Sequence, residues 1–276
     1  MRVIINGLEL SRHPYLLRSP IKGINTLPIR TASGNYSGRD GGYVSQQFYA
    51  SREIVLEGSV YEADKIGNEP LLGDLRNALR IREELPLYLI MDSGETYFTK
   101  VYVTDINQDF TDKIEQRFQI SLIAPDIYFY KTNPDDPEYG WETTEIETIE
   151  GGGYIFPYVL PVDWQPSAQP TIVNNPTANF LPMQIVLEGK YTNPRINNLT
   201  TGQFIQINAT TTAGDVIVID TGERTVTLNG GSILPAKSGD WLQLQPGVNT
   251  FDIVTDSGTD DHVGVIRYRI GYLGAF

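Results

Sequence analysis

The side chains that most often do chemistry in proteins are few in this sequence and lie far apart. The two histidines are His13 and His262, in a chain of 276 residues. A hydrolytic triad or a zinc site needs histidines brought together with further partners, so each histidine alone predicts a solvated loop residue. The absence of cysteine excludes disulfide bonds and thiolate metal ligands. No catalytic, metal or cofactor residue is predicted.

Two groups of acidic residues resemble sites without matching them. The segment TDSGTDDHVG contains Asp256, Asp260 and Asp261, but their spacing departs from the calcium-loop pattern and no glutamate closes it. A polar hairpin tip explains these residues better. Glu188 and Asp220 end two predicted strands, and a β-sandwich can hydrolyse glycosides with such a pair. Nothing in their sequence surroundings marks either as a proton donor, so hydrolysis is kept as a third hypothesis.

Aromatic side chains and a glycine-rich loop suggest binding rather than catalysis. Trp141, Trp164 and Trp241 could stack on sugars, although Trp241 begins the alternating run WLQLQ, where packing is the ordinary role. Carbohydrate binding for host adhesion therefore stays open as an alternative function. The segment SGNYSGRDGG (33–42) is followed by a strand-like run and not by a helix, which favours a long hairpin tip over a phosphate-binding loop.

The elements that would position these residues are mostly strands. Asn6-Gly7 and Asp92-Ser93-Gly94 predict hairpin turns, and SREIVLEGSV (51–60) places Ile54 and Leu56 on one face. The run IEQRFQISLI (114–123) alternates in the same way. Between these strands, NEPLLGDLRNALRIR (68–82) repeats leucine every four residues. This stripe predicts one amphipathic helix, with Asn68 as its N-cap and Pro70 in its first turn.

The second half predicts short strands at regular spacing, each stopped by a turn residue. From Pro182 onward these strands include MQIVLEG, QFIQI, DVIVIDT and RTVTLNGG, which is the signature of a sandwich or barrel. The segment 132–153 is acidic and ends in three glycines, which predicts a linker. We therefore expect a β domain over 1–131, a linker over 132–153 and a β-sandwich domain over 154–276.

Charge and hydropathy exclude several classes of protein. The net charge is −13, and 1–130 carry −3 of it, which argues against a protein that coats nucleic acid, because phosphate neutralisation needs clustered Lys and Arg. The first 17 residues lack the apolar run of a signal peptide, and no run approaches the roughly 18 residues of a membrane span. A chain without cysteine fits a protein made in the cytosol. It also fits a component of a particle that is assembled in the cytosol and released later.

A series of segments carries a family likeness across most of the chain. In the first half they are GRDGG (38–42), YASREIVLEGSV (49–60) and FQISLIAPDIYFY (118–130). In the second half they are NNPTANFLPMQIVLEG (174–189), NPRINNLTTGQFIQIN (193–208), GDVIVIDTGERTVTLNGG (214–231) and WLQLQPGVNTF (241–251). In this order the segments resemble the distal tail proteins of long-tailed, siphovirus-type bacteriophages, the hub component of the tail tip.

The resemblance implies a structural protein with two β domains. An N-terminal domain with one helix and a long hairpin would form a hexameric ring around the DNA exit channel, and a galectin-like C-terminal β-sandwich would project outward. The implied partners are copies of the chain itself, the tail tube protein, tail-tip or tape-measure proteins and receptor-binding proteins, with DNA passing through without specific binding. The implied location is the virion tail, assembled in the host bacterial cytoplasm. The family offers no catalytic residues to carry over.

Overall fold

The chain folds into two compact units in a computed structural model. Residues 1–18, 20–61, 65–109, 115–133, 140–146, 148–150, 170–256 and 262–274 are described by the structure. The first unit consists of Met1–Gly140 and Gly271–Phe276, and the second of Trp141–Ile270. The chain therefore leaves the first unit after residue 140 and returns to it at residue 271.

Strands dominate both units, so the predicted mainly β fold is confirmed. In chain order the strands are β1 (Arg2–Ile5), β2 (Leu8–Glu9), β3 (Tyr15–Leu17), β4 (Ile29–Asn35), β5 (Gly42–Tyr49), β6 (Arg52–Tyr61), β7 (Leu85–Ile90), β8 (Thr96–Asp109), β9 (Glu115–Ala124), β10 (Phe129–Thr132), β11 (Glu142–Ile146), β12 (Thr148–Glu150), β13 (Thr171–Asn175), β14 (Met183–Gly189), β15 (Arg195–Asn198), β16 (Gln203–Ile207), β17 (Val216–Asp220), β18 (Thr225–Leu228), β19 (Gly231–Ser232), β20 (Lys237–Gly239), β21 (Gly247–Thr255), β22 (His262–Tyr268) and β23 (Gly271–Tyr272). A short 3₁₀ helix spans Leu234–Ala236.

The first unit is built on one sheet that curls into a nearly closed barrel. Its strands follow the order β2-β1-β7-β8-β9-β6-β3, with β10 pairing to both β8 and β23. The predicted alternation of β6 and β9 is confirmed, because their inward side chains fill the core: Ile54, Leu56, Phe118, Ile120 and Leu122. Gly58 lies opposite Phe118, and a Cβ at residue 58 would come within 2.5 Å of that ring.

Two predicted turns join successive strands of this sheet. Asn6 and Gly7 have φ values of 46° and 82°, the pair of positive values that a type I′ turn between β1 and β2 requires. Gly94 has a φ of 89° between β7 and β8, and its N–H donates to the Met91 carbonyl at 2.9 Å. Both predictions are confirmed, because these sequences supply residues that tolerate positive φ where the chain reverses.

One α-helix, α1 (Lys65–Ala78), is present among the described residues, and its limits differ from the prediction. The helix begins three residues before Asn68, so Asn68 and Pro70 lie inside it and the predicted N-cap is wrong. The apolar stripe is confirmed, since its leucines are buried in the core of the first unit: Leu72, Leu75 and Leu79. Packing of this apolar stripe against the core stabilises the helix, as is usual for helices in proteins.

The predicted long hairpin is a separate two-stranded sheet, β4 with β5. Its register runs from Ile29 opposite Tyr49 to Asn35 opposite Gly42, with an irregularity between Thr31 and Ser33. Among the described residues, β4 and β5 pair with each other and with no further strand. The hairpin therefore has two unpaired edges.

The second unit contains two sheets. The first has the order β11-β22-β14-β17-β18-β19, and the second has β12-β21-β15-β16-β20 with β13 also paired to β21. Inward residues of both sheets are fully buried: Ile185, Ile217 and Ile266 in the first, Ile196, Ile205 and Ile253 in the second. A Cβ on Gly264 of β22 would lie 2.3 Å from the Ile253 side chain of β21, so the two sheets pack face to face. The predicted sandwich is confirmed, and its likeness to galectins stays a prediction.

One predicted strand of the second unit does not form. The segment WLQLQ, from Trp241 to Gln245, lies outside the strands and contributes one bridge, between Leu244 and Leu181. Its alternation nevertheless has the predicted effect, because Leu242 and Leu244 are fully buried. The pattern that predicts a strand here reflects burial on one side of an extended segment rather than pairing along its length.

The domain limits drawn from the sequence stay a prediction. Within the expected linker, 132–153, the described residues of β11 pair with β22 in the second unit. The aromatic arm of Tyr154, Phe156 and Tyr158 lies outside the described residues, as do Trp164, Asp260 and Asp261. No helix in the described part of the chain has the length and apolar character needed to cross a bilayer.

Candidate assembly surface

The two histidines belong to different units of the structure. His13 is exposed in the loop before β3 of the first unit, and His262 begins β22 of the second. Within the described ranges, no group of three or more His, Cys, Asp or Glu side chains is arranged to hold a metal ion. The described residues therefore include no metal-binding group to which either histidine belongs.

The carboxylates singled out by the sequence are spread apart, and two of them hold local structure. Glu188 is opposite Val216 and Asp220 is opposite Gln184 in the pairing of β14 with β17, which separates the two carboxylates by four residues along the strands. At about 3.3 Å per residue this is roughly 13 Å, beyond the carboxylate spacings of glycosidases. Asp220 accepts hydrogen bonds from the N–H groups that follow it in its own turn. Asp256 accepts one from the Asn193 side chain at 2.8 Å.

The two described tryptophans do not form one platform for a sugar. Trp141 precedes β11 at an edge of the first sheet, and the Arg269 guanidinium lies 4.2 Å from its ring centre. Trp241 follows β20 at an edge of the second sheet, with the Lys237 ammonium 4.6 Å from its ring. A cation therefore already lies over each ring, and cation–π contacts of this kind compete with stacking on a sugar.

The hairpin of β4 and β5 exposes more large apolar side chains than any other described element. All eight residues of β5 are exposed, and six of the seven in β4 are exposed. The exposed fractions of its large apolar residues are 65% for Val44, 58% for Ile29, 53% for Tyr43, 52% for Phe48, 45% for Tyr49 and 38% for Tyr36. These side chains project from both faces, since Tyr43 and Val44 are sequence neighbours, as are Phe48 and Tyr49.

Local contacts within the hairpin shield its rings only in part. The Arg39 guanidinium lies 3.8 Å from the ring centre of Tyr36, whose ring is 5.9 Å from that of Tyr43. The Arg30 guanidinium lies 5.7 Å from the Phe48 ring, its cross-strand partner. A two-stranded hairpin is marginally stable alone, and free edges with exposed apolar residues favour pairing with another chain. This element therefore has the properties of a docking surface.

Arg52 is buried directly behind the hairpin, as the first residue of β6. Its guanidinium donates to four backbone carbonyls: those of Gly23 at 3.2 Å, Ile24, Ile127 at 2.8 Å and Leu273 at 2.6 Å. The Phe129 ring centre is 4.8 Å from Cζ. Burial lowers the pKa of Arg52, and the negative charge of Asp126 acts in the opposite direction. A buried cation is thus stabilised by carbonyl dipoles and an aromatic ring.

Sequence reasoning missed both the exposed apolar faces and the buried arginine, although each leaves a signal. In GYVSQQFY the apolar residues come in adjacent pairs rather than at alternate positions, so neither face of the strand is polar. In REIVLE, Arg52 is in phase with Ile54 and Leu56 and shares their inward face. Assigning charged residues, as well as apolar ones, to the two faces of the strand would have identified Arg52 as buried.

Sequence comparison relates the chain to phage tail proteins. Residues 175–272 match the family model of the siphovirus-type tail component, C-terminal domain. The distal tail protein of Bacillus phage SPP1 is 24% identical to this chain over 261 residues, which cover 93% of this chain and 92% of that protein. The similarity therefore extends beyond the second unit to both halves of the chain.

Structural comparison gives the same relative. The crystal structure of SPP1 Dit, described there as a hub adsorption apparatus protein of phages that infect Gram-positive bacteria, has a TM-score of 0.64 to this chain. The match covers 98% of each chain at 15% identity, which establishes a common fold. A chain of the phage P2 baseplate in its activated conformation matches at 9% identity over 99% of each chain with a TM-score of 0.47, too low to carry an argument.

Proposed function

We propose that this chain, which is similar to the distal tail protein of a siphovirus-type bacteriophage in sequence and fold, forms a hexameric hub ring at the distal end of a tail tube. The observation that carries the proposal is the hairpin of β4 and β5, with exposed apolar side chains on both faces and two free edges. Copies of the same chain are its proposed partners, because a closed ring of identical subunits covers each such surface once and leaves no edge free.

The ring would surround the channel through which DNA leaves without binding it specifically. Supporting this, the chain carries 34 acidic against 21 basic residues, and 1–130 are net acidic as well. Tight binding to a phosphate backbone depends on clustered Lys and Arg that release counterions, and an acidic lining would weaken it. The passage of DNA thus requires no sequence recognition by this protein.

Further partners follow from the proposed position in the tail. One side of the ring would bind the tail tube protein, and the other would bind tail-tip or tape-measure and receptor-binding proteins. The chain would act by assembly and not by catalysis, in the virion tail, after incorporation in the host bacterial cytoplasm. The proposal rests on the family of the chain and on the exposed hairpin, and it assigns no catalytic or cofactor residues.

The first test is the oligomeric state of the purified chain. Wild-type protein at high concentration should form particles of six times the 30.8 kDa chain mass in light scattering, with sixfold symmetry in negative-stain images. The hairpin variant Val44→Glu should remain monomeric, because it places a charge in the proposed interface. A matched control is Ile172→Glu on β13, which puts the same charge at an equally exposed apolar position outside the hairpin.

Two results would contradict the proposal. Equal association by wild type and Val44→Glu would exclude the hairpin as the contact between copies. Antibody labelling of phage particles anywhere other than the distal end of the tail would exclude a hub position, whatever the oligomeric state of the isolated chain.

A further inference from the structure

We infer that Arg52 and the returning segment 271–274 position the exposed hairpin for self-association. Self-association would then depend on residues more than 200 positions away in sequence from the hairpin, which reach its base after the chain has traversed the second unit. The inference rests on the proposed function, since it assumes that the hairpin is the contact between copies. It adds the residues that hold the hairpin in place.

The segment that leads into the hairpin is bonded to β6, and a further backbone bond closes the base of the hairpin itself. The Val55 N–H donates to the Lys22 carbonyl at 3.1 Å, and the Ala50 N–H to that of Pro28 at 2.8 Å. Gly23 has a φ of 90°, and a Cβ there would lie 1.8 Å from the Glu53 carbonyl oxygen, so this close approach requires glycine. The carbonyls of residues 23 and 24 then accept hydrogen bonds from Arg52.

The returning segment reaches the same arginine from the other direction. In β23, Gly271 and Tyr272 pair with Tyr130 and Phe129 of β10, and the Tyr272 ring packs edge-on against Tyr97 with centroids 5.7 Å apart. The carbonyl of the next residue, Leu273, accepts a hydrogen bond from Arg52 Nη2 at 2.6 Å. One guanidinium therefore joins the entrance of the hairpin, the approach to β10 and the returning segment.

A tyrosine provides a second connection between the segment and the hairpin. A Cβ on Gly271 would lie 2.9 Å from Cγ of Tyr128, so the segment passes directly over the root of that side chain. The pKa of Tyr128 is raised first by burial, then by Asp126 and by the Tyr49 phenol at the end of β5. Tyr128 is thus in contact with the returning segment, and it interacts electrostatically with the last residue of β5.

These contacts determine the direction in which the hairpin points, because the described residues provide few other contacts to its strands. In the described part of the chain, β4 and β5 pair only with each other, and their side chains are almost all exposed. The angle at which the hairpin leaves the barrel is therefore set at residues 22–28 and 50–52. Loss of the four-carbonyl arrangement would leave the hairpin folded locally but free to adopt several directions, which weakens docking by raising its entropic cost.

The inference is tested with Gly271→Val, which displaces the segment from Tyr128, and with Arg52→Lys, which keeps a charge but loses the guanidinium fork. The matched control is Gly214→Val, since a Cβ at that glycine meets nothing within 4 Å. Sedimentation equilibrium should show self-association about tenfold weaker for both test variants, the factor expected from losing a hydrogen bond to a charged group. The control should stay within about twofold of wild type.

A measurement on unaltered protein covers the case in which a variant does not fold. In wild type, hydrogen exchange of the hairpin base, 22–28, and of the returning segment, 271–274, should show one shared opening free energy, because one arginine holds both. Separate opening free energies would overturn the inference, as would folded Gly271→Val or Arg52→Lys protein that associates within twofold of wild type. If wild type and Val44→Glu associate alike, the proposed function fails first, and that result is distinct from either outcome here.

Discussion

Two antiparallel strand pairs of this protein are comparable in length but opposite in burial. In the second unit, buried positions of β14 and β17 alternate with half-buried or exposed ones, and their isoleucines lie in the core. In the hairpin, no residue of β4 or β5 is buried. Strand propensity favours both pairs, and a second layer of structure decides whether their apolar side chains become core or surface.

The comparison shows where the free energy of folding is generated. The β14–β17 pair is stabilised by sheet-on-sheet packing, whereas the hairpin relies on cross-strand contacts such as Arg30 over Phe48. The isolated chain therefore gains little stability from the hairpin's apolar residues, which remain available for binding another chain. Substitutions in the two kinds of strand should separate stability from association.

The largest expected effect is in the core of the first unit. Leu56→Ala removes a fully buried side chain of β6 and should lower the free energy of unfolding by about 2–5 kcal/mol. Phe48→Ala in the hairpin removes a larger side chain, but one that is half exposed. It should therefore change the free energy of unfolding by no more than about 0.5 kcal/mol. Denaturant unfolding at a concentration where the protein is monomeric measures both.

The reverse ranking would invalidate the comparison. A loss of several kcal/mol in monomeric Phe48→Ala protein would mean that the hairpin is packed in solution and is not available to a partner. The same two variants measured for self-association should rank the other way, because Phe48 belongs to the proposed contact.

Much of the fold could be predicted from local signals. Period-two alternation placed Ile54 and Ile120 on the core face, and Asn6-Gly7 gave a turn at the right position. The start of α1 could not be predicted, because its first residues, Lys65–Gly67, precede the leucine repeat that identifies the helix. Prediction from sequence uses residues that are close together in the chain, whereas packing often joins residues that are far apart in it.

The candidate surface was predicted only in part for the same reason. A long hairpin with a polar tip follows from SGNYSGRDGG, but the exposure of Val44 and Phe48 depends on the absence of a covering layer among the described residues. The role of Arg52 depends on the Leu273 carbonyl, 221 positions away, and nothing in the local sequence indicates that pairing. The proposed function comes from the family resemblance, and the residues proposed to carry it come from the structure.

A smaller effect is expected inside the barrel wall, where neighbouring strands of its one sheet pack closely around the Phe118 ring. Gly58→Ala would place a methyl group 2.5 Å from the Phe118 ring and 2.8 Å from the Leu16 carbonyl oxygen, and should destabilise the first unit by about 1–3 kcal/mol. The control is Gly73→Ala in α1, where a Cβ meets nothing and helix propensity should stabilise by about 0.5–1 kcal/mol. In thermal unfolding, Gly58→Ala should lower the melting temperature and Gly73→Ala should raise it. Changes in the same direction would contradict the packing described.

The smallest effect concerns a turn of the second unit that holds itself together, unlike the hairpin. Asp215 accepts hydrogen bonds from the Asn229 side chain at 2.7 Å and from the N–H and hydroxyl of Thr212 at 2.7 and 2.8 Å. These bonds, that from Asn229 foremost, lower the pKa of Asp215. Asp215→Asn should reduce the melting temperature at neutral pH, because an amide presents a donor where the carboxylate accepts.

The pH dependence gives this prediction its sign. Because the folded-state pKa of Asp215 is lowered, its stabilisation is present above the unfolded value of about 3.9 and is lost as the pH falls through the folded value. The difference in melting temperature between wild type and Asp215→Asn should therefore shrink as the pH is lowered below about 4. Asp240→Asn is the control, since the Asp240 carboxylate accepts none of the described hydrogen bonds and its replacement should give a small difference at every pH. A difference for Asp215→Asn that persists unchanged into acid would mean that the amide disturbs the turn by its shape, and that the charge of Asp215 does not hold it.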